Sequence, residues 1–183
     1  MNKKQFILKD RIIKGVSTDG NFKITVVKTT DVVKTAKENH QLSLLNTIML
    51  GKALTGVMLL ASELKGEERI QLRFDGNGPI GYITAEANSL GEIRGYVGRP
   101  KAELDYSNPE TKLEDGIGLG LLTLSKVLYN EAEPRVSTIE IVKGDVVSDI
   151  AHYLMQSEQI PSAVLMDVGM DDQGEETEAG GLL

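Results

Sequence analysis

The longest apolar segment of the chain runs from Leu42 to Leu64. Its apolar residues recur at the 3.6-residue period of an α-helix, but they surround the whole circumference instead of one face. A helix of this kind has no side suited to water, so other apolar layers must cover it. Lys52 and neighbouring polar residues interrupt the run, which argues against a membrane span and predicts a buried helix at about 42–64.

Segments with the two-residue alternation of β-strands lie on both sides of this helix. Asp19-Gly20 and Asp75-Gly76 separate neighbouring segments and supply the residues that hairpin turns favour. The predicted strands cover about 12–16, 22–27, 70–75, 82–87, 93–97, 117–128 and 137–142, and a final hairpin places strands at about 162–170 and 180–183.

Two shorter helices are predicted, one before the long helix and one near the end of the chain. Thr29 and Thr30 are expected to cap the first helix, and Asn39 is expected to end it in a left-handed conformation. Asp145 is expected to cap the second, and Pro161 to end it. Strands, then helices, then strands predict an α+β fold. We therefore predict a three-layer β/α/β sandwich, with antiparallel sheets around the buried central helix.

Small residues within the long helix indicate how the sheets approach it. Gly51, Ala53, Gly56 and Ala61 are expected to let the sheets approach the helix closely. Lys52 is expected to lie toward an edge or beside a buried partner, because an unpaired buried ammonium group is costly.

Length and composition narrow the classes of function. A chain of 183 residues fits one domain, and its complete lack of cysteine excludes disulfides, thiolate metal sites and cysteine nucleophiles. The N-terminus has no apolar signal segment, so a cytoplasmic location is expected. Residues 1–37 hold nine basic and three acidic residues, a balance of +6, so the rest of this −7 chain carries −13. The basic residues lack interleaved aromatics, and no nucleic-acid partner is predicted.

Short patterns that could carry chemistry are better explained as structure. The glycines at 116–120 lack a full dinucleotide-binding fingerprint, so bends or close packing in a strand are predicted there. The glycines at 76–79 lack a following Lys-Ser/Thr pair, and a turn is predicted there. His40 and His152 have no second histidine at metal-ligand spacing, and the acidic residues at 167–178 do not follow the calcium-loop pattern. No catalytic residue and no metal ligand is predicted, so an enzymatic function is not supported.

The segment Met155 to Val164, MQSEQIPSAV, resembles the S-E-Q-x-P-S/T signature of the Hsp33 family of redox-regulated chaperones. Other segments that resemble the family occur in matching order and spacing over nearly the whole chain, although Leu119 to Arg135 matches less closely. These segments are Glu38-Asn39-His40, Leu64-Lys65-Gly66, DGNGPIG at 75–81, IRGYV at 93–97 and Ala179-Gly180-Gly181.

The resemblance implies an ATP-independent holdase that binds unfolding proteins during oxidative or heat stress, and it implies a homodimer. In the family, a linker and a C-terminal zinc domain with C-x-C and C-x-x-C motifs follow this core. The cysteine-free chain departs from that pattern, so we expect residues 1–183 to be the core domain alone, without the linker, the redox switch or a cofactor. Two explanations fit this departure: a fragment that ends at the boundary of the core domain, or a natural form that lacks the redox switch.

Two hypotheses of different class follow. In the first, the chain is a client-binding chaperone core, although the sequence singles out no client-binding residue. In the second, it is a homodimerisation or regulatory platform, and the missing linker binds clients. An unpaired strand edge expected at Leu182-Leu183 motivates the second hypothesis. Neither hypothesis involves a nucleic acid or a membrane.

Overall fold

A computed structural model describes residues 9–183, and its two antiparallel β-sheets enclose one central helix. The strands are β1 Arg11–Val16, β2 Lys23–Lys28, β3 Arg69–Gly76, β4 Tyr82–Asn88, β5 Ile93–Val97, β6 Gly120–Val127, β7 Arg135–Glu140, β8 Leu165–Met170 and β9 Glu176–Leu182. The α-helices are α1 Thr30–His40, α2 Leu44–Ala61 and α3 Val146–Tyr153. The strand orders are β1-β2-β9-β8 in the four-stranded sheet and β5-β4-β3-β6-β7 in the five-stranded sheet. The predicted β/α/β sandwich is confirmed.

Helix α2 forms the central layer. Ser43 caps its first turn, because the hydroxyl accepts a hydrogen bond of 3.3 Å from the N–H of Asn46. The helix ends at Ala61 and is therefore shorter than the predicted span. Its length and composition would suit a bilayer, but 83% of the segment is buried inside the fold. This burial is typical of a core helix.

The two sheets meet α2 through different kinds of side chain. The five-stranded sheet packs on α2 through large apolar side chains of its own strands. On the other side of the helix, glycines of α2 allow β8 and α3 to come close. A Cβ atom on Gly51 would lie 2.8 Å from the Val168 side chain of β8, and one on Gly56 would collide with Ile150 of α3. The predicted close approach of a sheet is confirmed at Gly51, whereas the nearest neighbour of Gly56 belongs to a helix. The large apolar side chains are Ile70, Leu72, Phe74, Ile83, Leu122 and Leu124.

Lys52 lies where its charge can be compensated. Only 13% of its side chain is exposed, and its Nζ atom lies 3.5 Å from Oδ1 of Asp167 on β8. Strand β8 is an edge of the four-stranded sheet, so the ammonium group has both an acidic neighbour and access to solvent. The expected position of Lys52 is confirmed.

The ends of α1 differ from the sequence prediction. Thr29 makes no capping hydrogen bond, because its hydroxyl lies 2.7 Å from the hydroxyl of Thr55 inside the core. The carboxylate of Asp10 instead accepts a 2.9 Å hydrogen bond from the N–H of Val32 in the first turn. The left-handed residue after the helix is Gln41, with φ of 50°, so the assignment of this role to Asn39 is wrong.

The expected unpaired edge at Leu182-Leu183 is also wrong. Strand β9 lies between β2 and β8, and Leu182 is paired with a residue of each neighbour. The backbone of Leu183 exchanges hydrogen bonds of 2.8 and 2.9 Å with Thr25. The edges of this sheet, within residues 9–183, are β1 and β8.

Candidate functional site

The side of the four-stranded sheet that faces away from α2 carries a row of aliphatic residues. Thr25 and Val27 of β2 are buried toward the helix, so Val26 between them points outward. Directly opposed residues of antiparallel strands point to the same side of a sheet. The register therefore aligns four outward residues across all four strands, in the order Ile13, Val26, Leu182 and Leu165.

We call these four residues, with the neighbouring outward residue Ile24, the aliphatic face. Four of its five side chains are well exposed, since Leu165 is 63% accessible, Ile13 56%, Ile24 49% and Val26 39%, and Leu182 is half-buried. Large contiguous apolar surfaces on folded proteins are typical of interaction sites. The aliphatic face is therefore the strongest candidate for a functional surface in the part of the chain that the structure describes.

The outward side of the five-stranded sheet has a different chemistry. Arg73 donates hydrogen bonds of 2.6 and 2.7 Å to Asp75, and its guanidinium group lies 4.3 Å from the centre of the Tyr82 ring. Arg94 donates a 2.8 Å hydrogen bond to Glu86 on the adjacent strand. These polar side chains satisfy one another. The exposed apolar residues Leu121 and Val136 lie opposite the polar residues Glu140 and Ser125, so they do not form a row, and this surface resembles an ordinary solvated sheet face.

The signature segment is anchored by a small polar cluster. Glu158 accepts hydrogen bonds from Nζ of Lys126 at 2.6 Å and from the hydroxyl of Tyr153 at 2.9 Å. Burial raises the pKa of Tyr153 to about 12. Burial also acts to raise the pKa of Glu158, but the bonds from Lys126 and Tyr153 outweigh it and the pKa is lowered. The cluster joins the turn after α3 to β6, which is a structural role.

Asp149 is a second buried acidic group. It is fully buried, and its Oδ1 atom accepts hydrogen bonds from the N–H groups of Val142 at 2.9 Å and Lys143 at 3.1 Å. Its Oδ2 atom has no hydrogen-bond partner within residues 9–183. Burial raises the pKa of this carboxyl group, and the backbone N–H donors offset the rise only in part.

This raised pKa makes stability depend on pH. The associated stability is fully present below the unfolded-state pKa of about 4 and is lost as pH rises through the folded-state pKa. Asp149→Asn keeps an acceptor for the two N–H groups and removes the titration. We expect the variant to match the wild type in urea unfolding at pH 4 and to exceed its stability at pH 8. A wild-type advantage that grows with pH would contradict this account.

The structure does not bring the other polar residues considered in the sequence into a reactive site. His40 is exposed at the end of α1, and His152 is half-buried in α3. The acidic hairpin is balanced by Lys37 of α1, whose Nζ lies 2.8 Å from Glu175 and 3.1 Å from Glu176. No group of three or more His, Asp or Glu side chains in the described residues is arranged to hold a metal ion.

Comparison with known proteins identifies the family. The model of the family described as Hsp33 protein matches residues 10–183. The chain belongs to the Hsp33 family. The 33 kDa chaperonin of Thermus thermophilus is 43% identical over 176 residues, with 94% of this chain and 51% of that relative covered. The 33 kDa chaperonin of Desulforamulus reducens is 39% identical over 178 residues, with 96% of this chain and 60% of the relative covered.

A solved Hsp33 structure has the same fold. The crystal structure of the 33 kDa chaperonin from Thermotoga maritima superposes with a TM-score of 0.86 and 36% identity, covering 93% of this chain and 59% of that chain. The predicted family resemblance is confirmed. The chain spans 51% to 60% of the length of the three relatives described.

Sequence reasoning missed the aliphatic face, although one signal pointed to it. Strand β2, with the sequence KITVVK, carries apolar residues at both alternating positions. Val27 packs in the core, whereas Ile24 and Val26 have no such role on the outward side. A strand that is apolar on both faces, in a sheet with only one covered face, indicates an additional binding surface.

Proposed function

We propose that this Hsp33-family chain is an ATP-independent, holdase-type chaperone core that binds unfolding proteins in the cytoplasm through the aliphatic face. The observation that supports this most directly is the contrast between the two sheets. The outward side of the five-stranded sheet carries paired polar groups, with Leu121 and Val136 as separate exposed apolar residues. The outward side of the four-stranded sheet presents a row of neighbouring aliphatic side chains, which are exposed on β1, β2 and β8 and half-buried at Leu182 of β9.

Binding at such a surface needs no chemical step and no cofactor. An unfolding protein exposes apolar side chains, and their contact with the aliphatic face removes apolar area of both partners from water. The gain is about 25 cal/mol for each Å² of apolar surface covered, and it does not depend on a defined client sequence. This physical basis suits a protein that holds many different clients and releases them when they refold.

Two further elements belong to the proposal. The chain contains no cysteine, so client binding is expected without an oxidant. A homodimer is expected from the resemblance to the family. The alternative function is a dimerisation platform that leaves client binding to a linker. It was based on an unpaired strand edge at Leu182-Leu183, and that edge does not exist because β9 is an interior strand.

The test is light scattering from a heat-unfolding client protein in the presence of the chain, with and without peroxide. We expect equal suppression of aggregation under both conditions, because no thiol is present to be oxidised. Serum albumin at the same mass concentration serves as the control for unspecific protection. Suppression no better than that of albumin under either condition would overturn the proposal.

A further inference from the structure

We propose that an extended segment of an unfolding client joins the four-stranded sheet as a fifth strand, hydrogen-bonded along the outer side of β1. This inference rests on the proposed function, and it gives client binding a backbone component beside the aliphatic face. It derives from the position of β1, which has no neighbouring strand on its outer side within residues 9–183.

Hydrogen bonds on the far side of β2 show which groups lie on this outer side. Thr25 is directly opposite Lys14, but its backbone exchanges hydrogen bonds of 2.8 and 2.9 Å with Leu183 beyond β2. Hydrogen-bonded and non-hydrogen-bonded pairs alternate along two antiparallel strands. Every second residue of β1 therefore has N–H and C=O groups that point away from the sheet. These residues, which we call the β1 edge, are Ile12, Lys14 and Val16.

The β1 edge is open to an incoming strand. All three of its residues are exposed, with Val16 62% accessible and Ile12 37% accessible. The Nζ atom of Lys14 donates a hydrogen bond to the carbonyl oxygen of Ser62 at the end of α2, so this side chain is held on the helix side of the sheet. A row of exposed backbone donors and acceptors is a template for a further strand.

The opposite edge of the same sheet is less suited to this role. The register of β8 against β9 shifts between Gly169 and Met170, and irregularities of this kind twist an edge strand and interrupt its pairing. Asp167 of β8 also forms the ion pair with Lys52. Strand β1 has a continuous register with β2 over all six of its residues, so it offers the more regular edge.

A strand added at β1 would extend the aliphatic face. Ile13 and Gly15 of β1 point to the aliphatic side, because they lie opposite Val26 and Ile24. Alternate side chains of the added strand would lie on this side, beside Ile13 and over the space that Gly15 leaves next to Ile24. The remaining side chains would cover the β1 edge. Apolar, extended segments without proline satisfy these requirements, and core strands of unfolding proteins have this character.

A client segment fits the β1 edge better than a second copy of the chain does. In the register that pairs all three residues of the β1 edge with those of a second copy, two Lys14 side chains would lie directly opposite each other. Like charges in this position destabilise a strand pair, and lysines on edge strands protect proteins from self-association. A client strand with an uncharged residue opposite Lys14 avoids this repulsion.

The experiment uses three fluorescent peptides of the sequence Thr-Val-Thr-Ile-Thr-Val-Thr that differ only in their backbone. The valines and isoleucine match the aliphatic side, so the threonines supply the N–H groups that bond to β1. The first peptide is unmodified. The second carries N-methyl groups on its third and fifth residues, both threonines, and the third carries them on its fourth and sixth residues, whose N–H groups would face solvent. Binding to the full 183-residue chain is measured by fluorescence anisotropy.

We expect methylation of the threonines to weaken binding about tenfold, because two hydrogen bonds are lost, and methylation of the apolar residues to change it by less than about twofold. Equal affinities of the two methylated peptides would overturn strand addition and leave the proposed function intact, because contact with the aliphatic face alone does not distinguish them. A lack of binding by the unmodified peptide would also overturn strand addition.

A pair of variants tests the same edge from the side of the protein. Lys14→Pro removes the central N–H group of the β1 edge, whereas Lys14→Ala removes the same side chain and keeps this group. Edge strands tolerate proline where the N–H group faces away from the sheet. We expect the proline variant to bind the unmodified peptide about fivefold more weakly than the alanine variant. Thermal unfolding reports the fold of both, and equal binding by two folded variants would contradict the proposal. If the proline variant does not fold, the methylated peptides decide.

Discussion

Replacing Gly120 with alanine is expected to lower the free energy of unfolding by about 3 kcal/mol or more, one of the largest effects of any single methyl group in this fold. A Cβ atom at this position would lie 2.8 Å from the Cα atom of Gly76 and closer still to the carbonyl oxygen of Asp75. Both obstacles are backbone atoms of β3, which pairs directly with β6 here. No side-chain rotation can relieve the clash, so the central strand pair of the five-stranded sheet has to shift.

Gly20→Ala is the control, measured by urea unfolding with circular dichroism. Gly20 has φ of +73°, and a Cβ atom there would meet no atom within 4 Å. The left-handed conformation alone costs alanine about 1–2 kcal/mol, so the control should be clearly milder. If Gly120→Ala does not fold, Gly116→Ala gives a measurable comparison, because its Cβ would meet only side chains, at 3.0 Å from Leu45. Equal stability of the wild type and both the Gly116 and Gly120 variants would refute the packing account.

In the glycine-rich segments at 76–79 and 116–120, the sequence predicts the local backbone conformation but not the contact between the two segments. Bends or close packing were predicted at 116–120, and Gly118 indeed has φ of +70°. The turn predicted at 76–79 is confirmed as well, because the N–H of Gly81 donates a 3.1 Å hydrogen bond to the carbonyl oxygen of Gly78. Hydrogen bonds of 2.9 Å from Asn77 to Leu119 and 2.8 Å from Gly78 to Ile117 join this turn to the other segment. The sequence could not show that these two segments pack against each other, because that contact depends on the pairing of distant strands.

The main errors in the predicted fold have the same origin. Thr29 has the residue type of a helix cap, but Thr55, which is 26 residues away, binds its hydroxyl group. Asp10 takes part of the capping role from a position 22 residues before Val32. Periodicity identified the helices and strands because it reflects burial of one face or of all faces. It contains no information about which distant polar group satisfies a given helix end.

The sequence alone could not identify the full set of residues in the candidate site, for a related reason. Val26 and Val27 are adjacent and chemically identical, yet Val27 is 3% exposed in the core and Val26 is 39% exposed on the aliphatic face. Only the register, which aligns Val26 with Ile13 and Leu182, shows that the outward residues form a continuous row. Apolar residues used for binding and for folding therefore look alike until the sheet is known.

The double variant Ile13→Thr/Val26→Thr is expected to raise the concentration needed for half-maximal suppression of client aggregation by about tenfold. The two residues face each other across β1 and β2 at one end of the aliphatic row. Together the substitutions remove three carbon groups, worth roughly 2 kcal/mol if a client covers most of this surface. Threonine keeps the β-branched shape that strands favour, so the sheet itself should be little affected.

Leu121→Thr/Val136→Thr is the matched control for this variant. These residues are 48% and 60% exposed on the outward side of the five-stranded sheet, against 56% and 39% for Ile13 and Val26. The control therefore removes a similar or larger exposed apolar surface from the opposite side of the molecule. Light scattering reports client binding, and thermal unfolding reports the fold of each variant. Loss of suppression in the first variant alone would show that position on the aliphatic face matters, whereas equal loss in both would mean that clients bind any exposed apolar side chain.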